Sequence, residues 1–184
     1  MCFNLLRPGD NVLELGGGPH SLNALEIHIR KCNYFCIDKK PRAEKNLAQN
    51  YIEGDFETIP FPSQKFSLVI ARYSLHYNNP SRTRTVIRKV KKTLLPQGLF
   101  YGIVHSREDQ GYCRMLREEY RRMGVGTIKS PEGKIIHYYT EAELLNLLGG
   151  FNVRYIRTLT LYDSKTPDAP EHVHRSIEFL VENK

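Results

Sequence analysis

A run of three glycines, and two aspartates that each close a strand-like stretch, carry the first chemistry in this sequence. Gly16, Gly17 and Gly18 stand together in NVLELGGGPHS, residues 11–21. Glycine is required where a chain turns through positive φ, or where backbone must approach a ligand with no Cβ in between. Val12, Leu13 and Leu15 before the glycines predict a buried strand, and Pro19 and Ser21 after them predict a helix start. The free N–H groups and positive dipole end of such a helix suit an anionic group of a nucleotide-like ligand. Asp38 closes the apolar run YFCID. It lies about 20 residues beyond the glycines, where a doubly wound fold sets a carboxylate against the hydroxyls of a ribose. Asp55 closes YIEGD with Phe56 directly after it. Arg72, Tyr73, His76 and Tyr77 follow FSLVIA, so aromatic rings and an imidazole gather where that strand ends.

The elements that must position these residues alternate. Residues 11–15 predict a strand, and residues 21–31 a helix with Leu22, Leu25 and Ile29 inward, Ser21 as its cap and Asn33 at its end. Residues 34–38 predict the second strand, residues 41–50 a short polar helix or loop, and residues 51–55 the third strand. IPFPSQK, residues 59–65, cannot run helical through its prolines, and it leads into the strongest strand, residues 66–71. Residues 81–95 predict a helix with Val86, Ile87, Val90 and Leu94 inward and a basic outer face. Pro96-Gln97-Gly98 stops that helix, and residues 99–104 form a fifth strand. Residues 108–123 predict a helix with Tyr112, Met115, Leu116 and Tyr120 on one side. Residues 140–148 predict another, capped at Thr140, and residues 151–162 and 173–182 two closing strands. This alternation argues for an α/β fold, a Rossmann-like doubly wound sheet, mostly parallel, with helices on both faces.

The chain has 184 residues, which fits a single domain, and its 40% hydrophobic and 26% charged content is that of a soluble globular protein. No apolar run approaches the ~20 residues of a membrane span, and the N-terminus carries no signal-peptide pattern. The four cysteines include no CxxC pair, which reads as reduced thiols in a cytoplasmic protein. The net charge of +7 fits an anionic ligand, RNA, an acidic partner or a solvated basic surface. Ser21 stands where the G-x-G-x-x-G/A pattern ends, which argues against a nicotinamide site, and the loop lacks the Gly-Lys-Ser/Thr ending of an NTPase. His172 and His174 alternate on a strand, but with no third ligand at a fixed spacing no metal site is expected.

From about residue 10 to about residue 105, and more weakly to its end, the chain resembles the class I S-adenosylmethionine-dependent methyltransferases. The resemblance rests on VLELGGGPHS, YFCID, EGDFETIPFPSQKFSLVIARYSLHY and VKKTLLPQGLFYGIV, each at its expected place in the order. The third stretch is most similar to the small-molecule, methyltransferase type 11-like subgroup. The resemblance implies S-adenosyl-L-methionine as cofactor, S-adenosyl-L-homocysteine as product, and an antiparallel strand in a terminal hairpin. It implies that Glu14, Gly16, Gly17 and Gly18 line the methionine end, Asp38 holds the ribose, Asp55 the adenine amino group, and Phe56 the adenine ring, with Lys39 a further cofactor-binding residue. Arg72 and Tyr73 then sit beside the methionine moiety and the methyl group, with Tyr73 and His76 as catalytic candidates and Tyr77 and His105 as further bases. Tyrosine faces there can steady the sulfonium charge by about 0.5–2 kcal/mol.

Two departures stand out. His20 occupies the last glycine position of the family's usual G-x-G-x-G loop, and ten residues precede Asn11 where relatives often carry helices that cover the substrate. Residues 105–139 are then either a lid or a long connection on the sheet edge. Asn78-Asn79-Pro80 is similar to the signature of methyltransferases acting on nucleobases, without its second proline and aromatic, and reads as a loop. The basic helix has no interleaved aromatics, so nucleic acid is not favoured as a partner. The expected function is methyl transfer to a small molecule. The alternatives are a catalytically weak cofactor-binding domain, which His20 would explain, and an RNA-modifying enzyme.

Overall fold

A computed structural model of the chain describes residues 2–18, 21–40, 50–62, 65–117, 120–163 and 172–184. Among them seven strands form one sheet, ordered β3-β2-β1-β4-β5-β10-β9. They are β1 (Asn11–Leu15), β2 (Asn33–Asp38), β3 (Asn50–Glu53), β4 (Phe66–Arg72), β5 (Leu94–His105), β9 (Phe151–Asp163) and β10 (His172–Asn183). The first five are mutually parallel, and β10 inserts antiparallel between β5 and β9. The expected doubly wound sheet and its antiparallel terminal strand are both present.

Both faces of this sheet are buried, as near-continuous apolar strands require. On one face Leu13, Leu15, Phe35 and Ile37 pack with Val86, Ile87 and Val90 of α2 (Pro80–Thr93) and Leu144 and Leu147 of α4 (Glu141–Leu147). On the other face Val12, Tyr34, Cys36, Leu68 and Ile70 meet Ala24 and Ile27 of α1 (Leu22–Ile29). Asn79 caps α2 by accepting the Arg82 N–H, and Thr140 caps α4 by accepting the Glu143 N–H.

Several expectations are corrected. Helix α1 buries Asn23, Ala24 and Ile27, while Leu25 and Ile29 are 54% and 65% exposed. The rotation has a polar cause, because the buried Glu14 carboxylate draws Asn23 inward and small Ala24 lets the helix close on the sheet. Ser21 makes no cap bond, since its hydroxyl also donates to Glu14. Lys31, at φ 59°, turns the chain out of the helix where Asn33 was expected to do so. Pro96-Gln97-Gly98 does not separate helix from strand. It bulges within β5, which already begins at Leu94, and Gln97 takes φ 61°.

The long helix expected over residues 108–123 is absent. Residues Gln110–Met115 form a short α3, and β6 (Arg121–Gly124), β7 (Thr127–Lys129) and β8 (Ile135–His137) form a second, antiparallel sheet with β7 in the middle. Gly124 and Gly126, at φ 156° and 75°, make the turn between β6 and β7. This small sheet is pinned to the main domain by buried polar contacts. The His137 ring bonds Thr127 Oγ1 at 2.7 Å and Glu143 Oε1 at 3.0 Å, and Arg107 bonds Glu143 Oε2 at 2.7 Å and the Tyr138 carbonyl at 3.1 Å. The expected element over residues 41–50 and the tip between β9 and β10 fall largely outside the described residues.

Candidate active site

The sheet order reverses between β1 and β4, which opens a crevice at the carboxyl ends of the strands. The residues singled out in the sequence converge there: residues 16–18 follow β1, Asp38 ends β2, Asp55 follows β3, Arg72 ends β4 and His105 ends β5.

The glycine loop is held by its own chain. Gly16 donates to the Ile37 carbonyl at 2.7 Å, and the Ser74 hydroxyl donates to the Leu15 carbonyl at 2.7 Å. A Cβ on Gly16 would lie 2.5 Å from Ser74 Cβ, and one on Gly17 would lie 2.8 Å from Cys36 Sγ. These two glycines are required by packing. Gly18 differs, because at φ 68° a Cβ there would meet nothing within 4 Å among the described residues. No described residue closes over the Gly18 backbone, as a ligand-facing glycine requires. Pro19 and His20 lie outside the described residues.

Glu14 is buried, and its carboxylate accepts from Ser21 Oγ at 2.5 Å, Asn23 Nδ2 at 2.6 Å and Tyr34 OH at 2.5 Å. Asn23 in turn accepts from Arg72 Nη1 at 3.0 Å. Burial and the Glu14 charge push the Cys36 thiol up to about 12 and the Tyr34 phenol further still, so both keep their protons. Glu14 therefore organises the start of α1 and, through Asn23, the Arg72 guanidinium. Sequence reading missed Asn23 and Tyr34. The only available signal was that a buried carboxylate at position 14 must find donors.

Asp38 accepts the Gly18 N–H on one oxygen and the Lys40 N–H on the other, both at 2.8 Å. A carboxylate has about four acceptor sites, so capacity remains for a diol. Asp55 accepts the Glu57 N–H at 2.9 Å and pairs with Lys39 Nζ at 2.9 Å. Partial burial pushes the Asp55 carboxyl up, but the Lys39 bond, the Glu57 N–H and the Lys39 and Arg82 charges outweigh it and hold it below the ordinary carboxylate range. Lys39 thus stands with Asp55. Phe56 is buried in the core, its ring edge 3.6 Å from where a Gly16 Cβ would be.

Beyond β4 the chain makes an abrupt turn. Tyr73 takes φ 52° and donates its N–H to the Ile103 carbonyl at 2.8 Å, which returns the chain to β5. A 3-10 turn over Leu75–Tyr77 then buries His76 completely, at 0% exposure. Its ring centroid lies 4.0 Å from that of His105 and 4.3 Å from that of Tyr77. Neither nitrogen of His76 has a hydrogen-bond partner among the described residues. His105, half-buried, stacks on Tyr138 at 5.3 Å and approaches Tyr73 at 5.6 Å. Burial, then the charge a protonated His105 would carry, drives the His76 imidazole well below its ordinary range. Burial likewise lowers His105, with Asp109 opposing and His174 assisting. Both rings are neutral at neutral pH. Tyr138 was not singled out in the sequence, since only the second sheet brings it back to β5. His174 lies 3.5 Å from Asp109, and the His172 side chain lies outside the described residues.

The sequence matches the family described as "Methyltransferase domain" over residues 2–158. The chain belongs to that family, the S-adenosylmethionine-dependent methyltransferases of class I fold. An uncharacterized methyltransferase of Synechocystis sp. is 30% identical over 102 residues, 52% of this chain and 47% of that protein, so the match spans about half of the relative's length. Solved structures with the same fold include a SAM-dependent methyltransferase of Methanosarcina mazei, with TM-score 0.73 and 19% identity, covering 98% of this chain and 95% of that one. Another is the 1,6-didemethyltoxoflavin-N1-methyltransferase of Burkholderia thailandensis, solved with 1,6-didemethyltoxoflavin and S-adenosylhomocysteine, with TM-score 0.71 and 17% identity over 100% of this chain and 74% of that one. The N-methyltransferase NodS of Bradyrhizobium japonicum, in complex with S-adenosylhomocysteine, has TM-score 0.63 and 16% identity over 96% of this chain and 79% of that one. No helix among the described residues is long and apolar enough to cross a membrane.

Proposed function

We propose that this chain methylates a small molecule with S-adenosylmethionine as donor. The observation that carries this reading is the pairing of Gly18 with Asp38: backbone over which no described residue closes, its N–H fixed on a carboxylate that keeps acceptor capacity for a ribose diol. The remaining residues fit the same ligand. Asp55, kept ionised by Lys39, accepts an exocyclic amino group, and Arg72, held by Asn23, offers positive charge to a carboxylate. Bound there, the donor supplies a methyl carbon made electrophilic by its sulfonium. Glu14 acts indirectly, by holding Ser21, Asn23 and Tyr34. Phe56 supports Gly16 from within the core, and Tyr73 and His76 belong to the acceptor side with His105.

A small acceptor is favoured over a nucleic acid because many of the α2 cations are already engaged. Arg82 pairs with Glu57, Arg84 bonds Asn146, Lys91 bonds the Gly150 carbonyl, and Lys89 bonds the carbonyls of Phe56, Glu57 and Ile59. The acceptor side is instead a cluster of aromatic rings, which we assign residues 105–139 to cover. Cys32, Cys36 and Cys113 are free thiols, in keeping with a cytoplasmic protein.

The test is calorimetric titration of S-adenosylmethionine and S-adenosylhomocysteine onto wild type and Asp38→Ala. Binding by wild type that weakens at least about tenfold (~1.4 kcal/mol) in the variant is expected. Absence of binding by wild type at millimolar ligand overturns the reading.

A further inference from the structure

His76 is the least explained polar side chain near the crevice. A neutral imidazole carries one N–H donor and one lone pair, and burying both without partners costs free energy. His76 is completely buried, with neither nitrogen bonded among the described residues. An apolar ring of similar size would fill the same space at lower cost. The second imidazole lies directly against it, with centroids 4.0 Å apart and planes tilted by 37°. Aromatic rings and the Asp109–His174 contact stand near the pair: Tyr73 after β4, Tyr77 on the 3-10 turn, Tyr138 after β8, and Tyr112 of α3 packed behind Tyr138 at 4.8 Å. Tyr77, 54% exposed, is the outermost ring over His76.

We propose that the His76–His105 pair selects the methyl acceptor: a flat aromatic molecule bearing an O–H or N–H, which donates its hydrogen bond to one imidazole and accepts from the other. This rests on the methyl-transfer reading above. The chemistry follows from what each group lacks. A hydroxyl or lactam-type group has a donor and an acceptor within one atom or two, which matches a pair of neutral imidazoles. A quaternary cation or a simple hydrocarbon matches neither. Tyr73, only partly buried, supplies a face for a ring, and an apolar surround strengthens each hydrogen bond made inside it. Methyl transfer breaks the sulfonium's bond to the methyl carbon, forms the acceptor's C–O bond and passes the O–H proton to the imidazole that accepted it. Once that proton is lost to solvent, the methyl ether has no donor and leaves one buried nitrogen unpaired, so the pair releases product as well as choosing substrate.

β-Naphthol and its methyl ether, titrated by fluorescence with and without saturating S-adenosylhomocysteine, provide the test. The chain contains no tryptophan, so naphthol emission is read without an indole background. Wild type is expected to bind β-naphthol at least about tenfold more tightly than the ether, the size of one buried hydrogen bond. In His105→Phe and His76→Phe this preference disappears, while S-adenosylhomocysteine affinity stays within about twofold. His76→Phe also unfolds at a urea concentration no lower than wild type, because an unpaired polar group has been replaced by an apolar ring. A purely structural His76 would give the stability result without the loss of preference. A preference that survives in both variants, or no naphthol binding in either condition, overturns the proposal. Failure of S-adenosylhomocysteine to bind overturns the methyl-transfer reading, while the naphthol titration without it still judges the pair.

Discussion

Replacing Glu14 by glutamine tests whether this buried carboxylate organises the cofactor crevice. In the wild type one oxygen accepts two hydroxyl protons, from Ser21 and Tyr34, and the other accepts from the Asn23 amide. A glutamine side chain has the same shape but only one acceptor oxygen. If that oxygen faces the hydroxyls, its NH2 confronts the NH2 of Asn23. Asn23 can then adapt only by flipping, which turns a donor toward Arg72 in place of the oxygen that accepts Nη1. If instead the NH2 faces the hydroxyls, both must give up a charge-assisted bond. Either arrangement loses at least one such bond, so Glu14→Gln should destabilise the fold by about 1.5–3 kcal/mol. Tyr34→Phe removes one donor and leaves the carboxylate intact, and should cost a similar amount at most. The measurement is the urea midpoint at unchanged m-value, paired with S-adenosylhomocysteine titration, where Glu14→Gln should also weaken binding through the displaced start of α1. Both variants unfolding within about 0.5 kcal/mol of wild type would show that the network contributes no net stability, and would refute the role given to Glu14.

The glycine loop supplies a paired prediction. Gly17→Ala forces a Cβ against Cys36 Sγ and Glu14 and should lower stability by about 1–3 kcal/mol, whereas Gly18→Ala meets no neighbour among the described residues and bears the positive-φ cost of about 1–2 kcal/mol. Gly18→Ala should nevertheless lose S-adenosylhomocysteine affinity disproportionately to its stability. The reverse ranking of the two variants in binding would count against Gly18 as the ligand-facing position. Acid stability should reflect the imidazoles of His76, His105 and His137, which burial lowers in the folded state, although Glu143 opposes this at His137. The unfolded chain takes up these protons first, so the stability they confer is present above about pH 6.5 and is lost as pH falls toward their folded values. Each adds up to about 1.4 kcal/mol per pH unit to the slope, and His76→Phe should flatten it by up to that amount. Urea midpoints unchanged between about pH 7 and pH 5 would contradict this.

Much of the fold is legible in the sequence because its signals are local. Apolar runs ending in Asp38 and Arg72 report strands buried on both faces, and strand-end residues at a switch point must line one crevice. The glycines at 16–18 report a loop whose own neighbours forbid side chains at two positions. The inward face of α1 was not legible, because Leu22, Leu25 and Ile29 form the stronger apolar stripe and only the demand of Glu14 for donors turns Asn23 inward instead. Residues 108–123 mislead for a related reason: their helical spacing of Tyr112, Met115 and Tyr120 is satisfied by packing against Ile128, Ile136 and Tyr138.

The sequence by itself determined the alternation of strands and helices, the doubly wound fold class and the family, since these follow from residue type and spacing along one stretch of chain. Tertiary structure alone decided the cluster of imidazole and phenol rings beyond β4. His76, His105 and Tyr138 come from three separate segments, and their contact depends on how the turn after β4, the end of β5 and the second sheet pack together. Hydrophobic periodicity carries no information about which distant polar groups are left unpaired, because that is settled only when every buried donor has been matched to an acceptor.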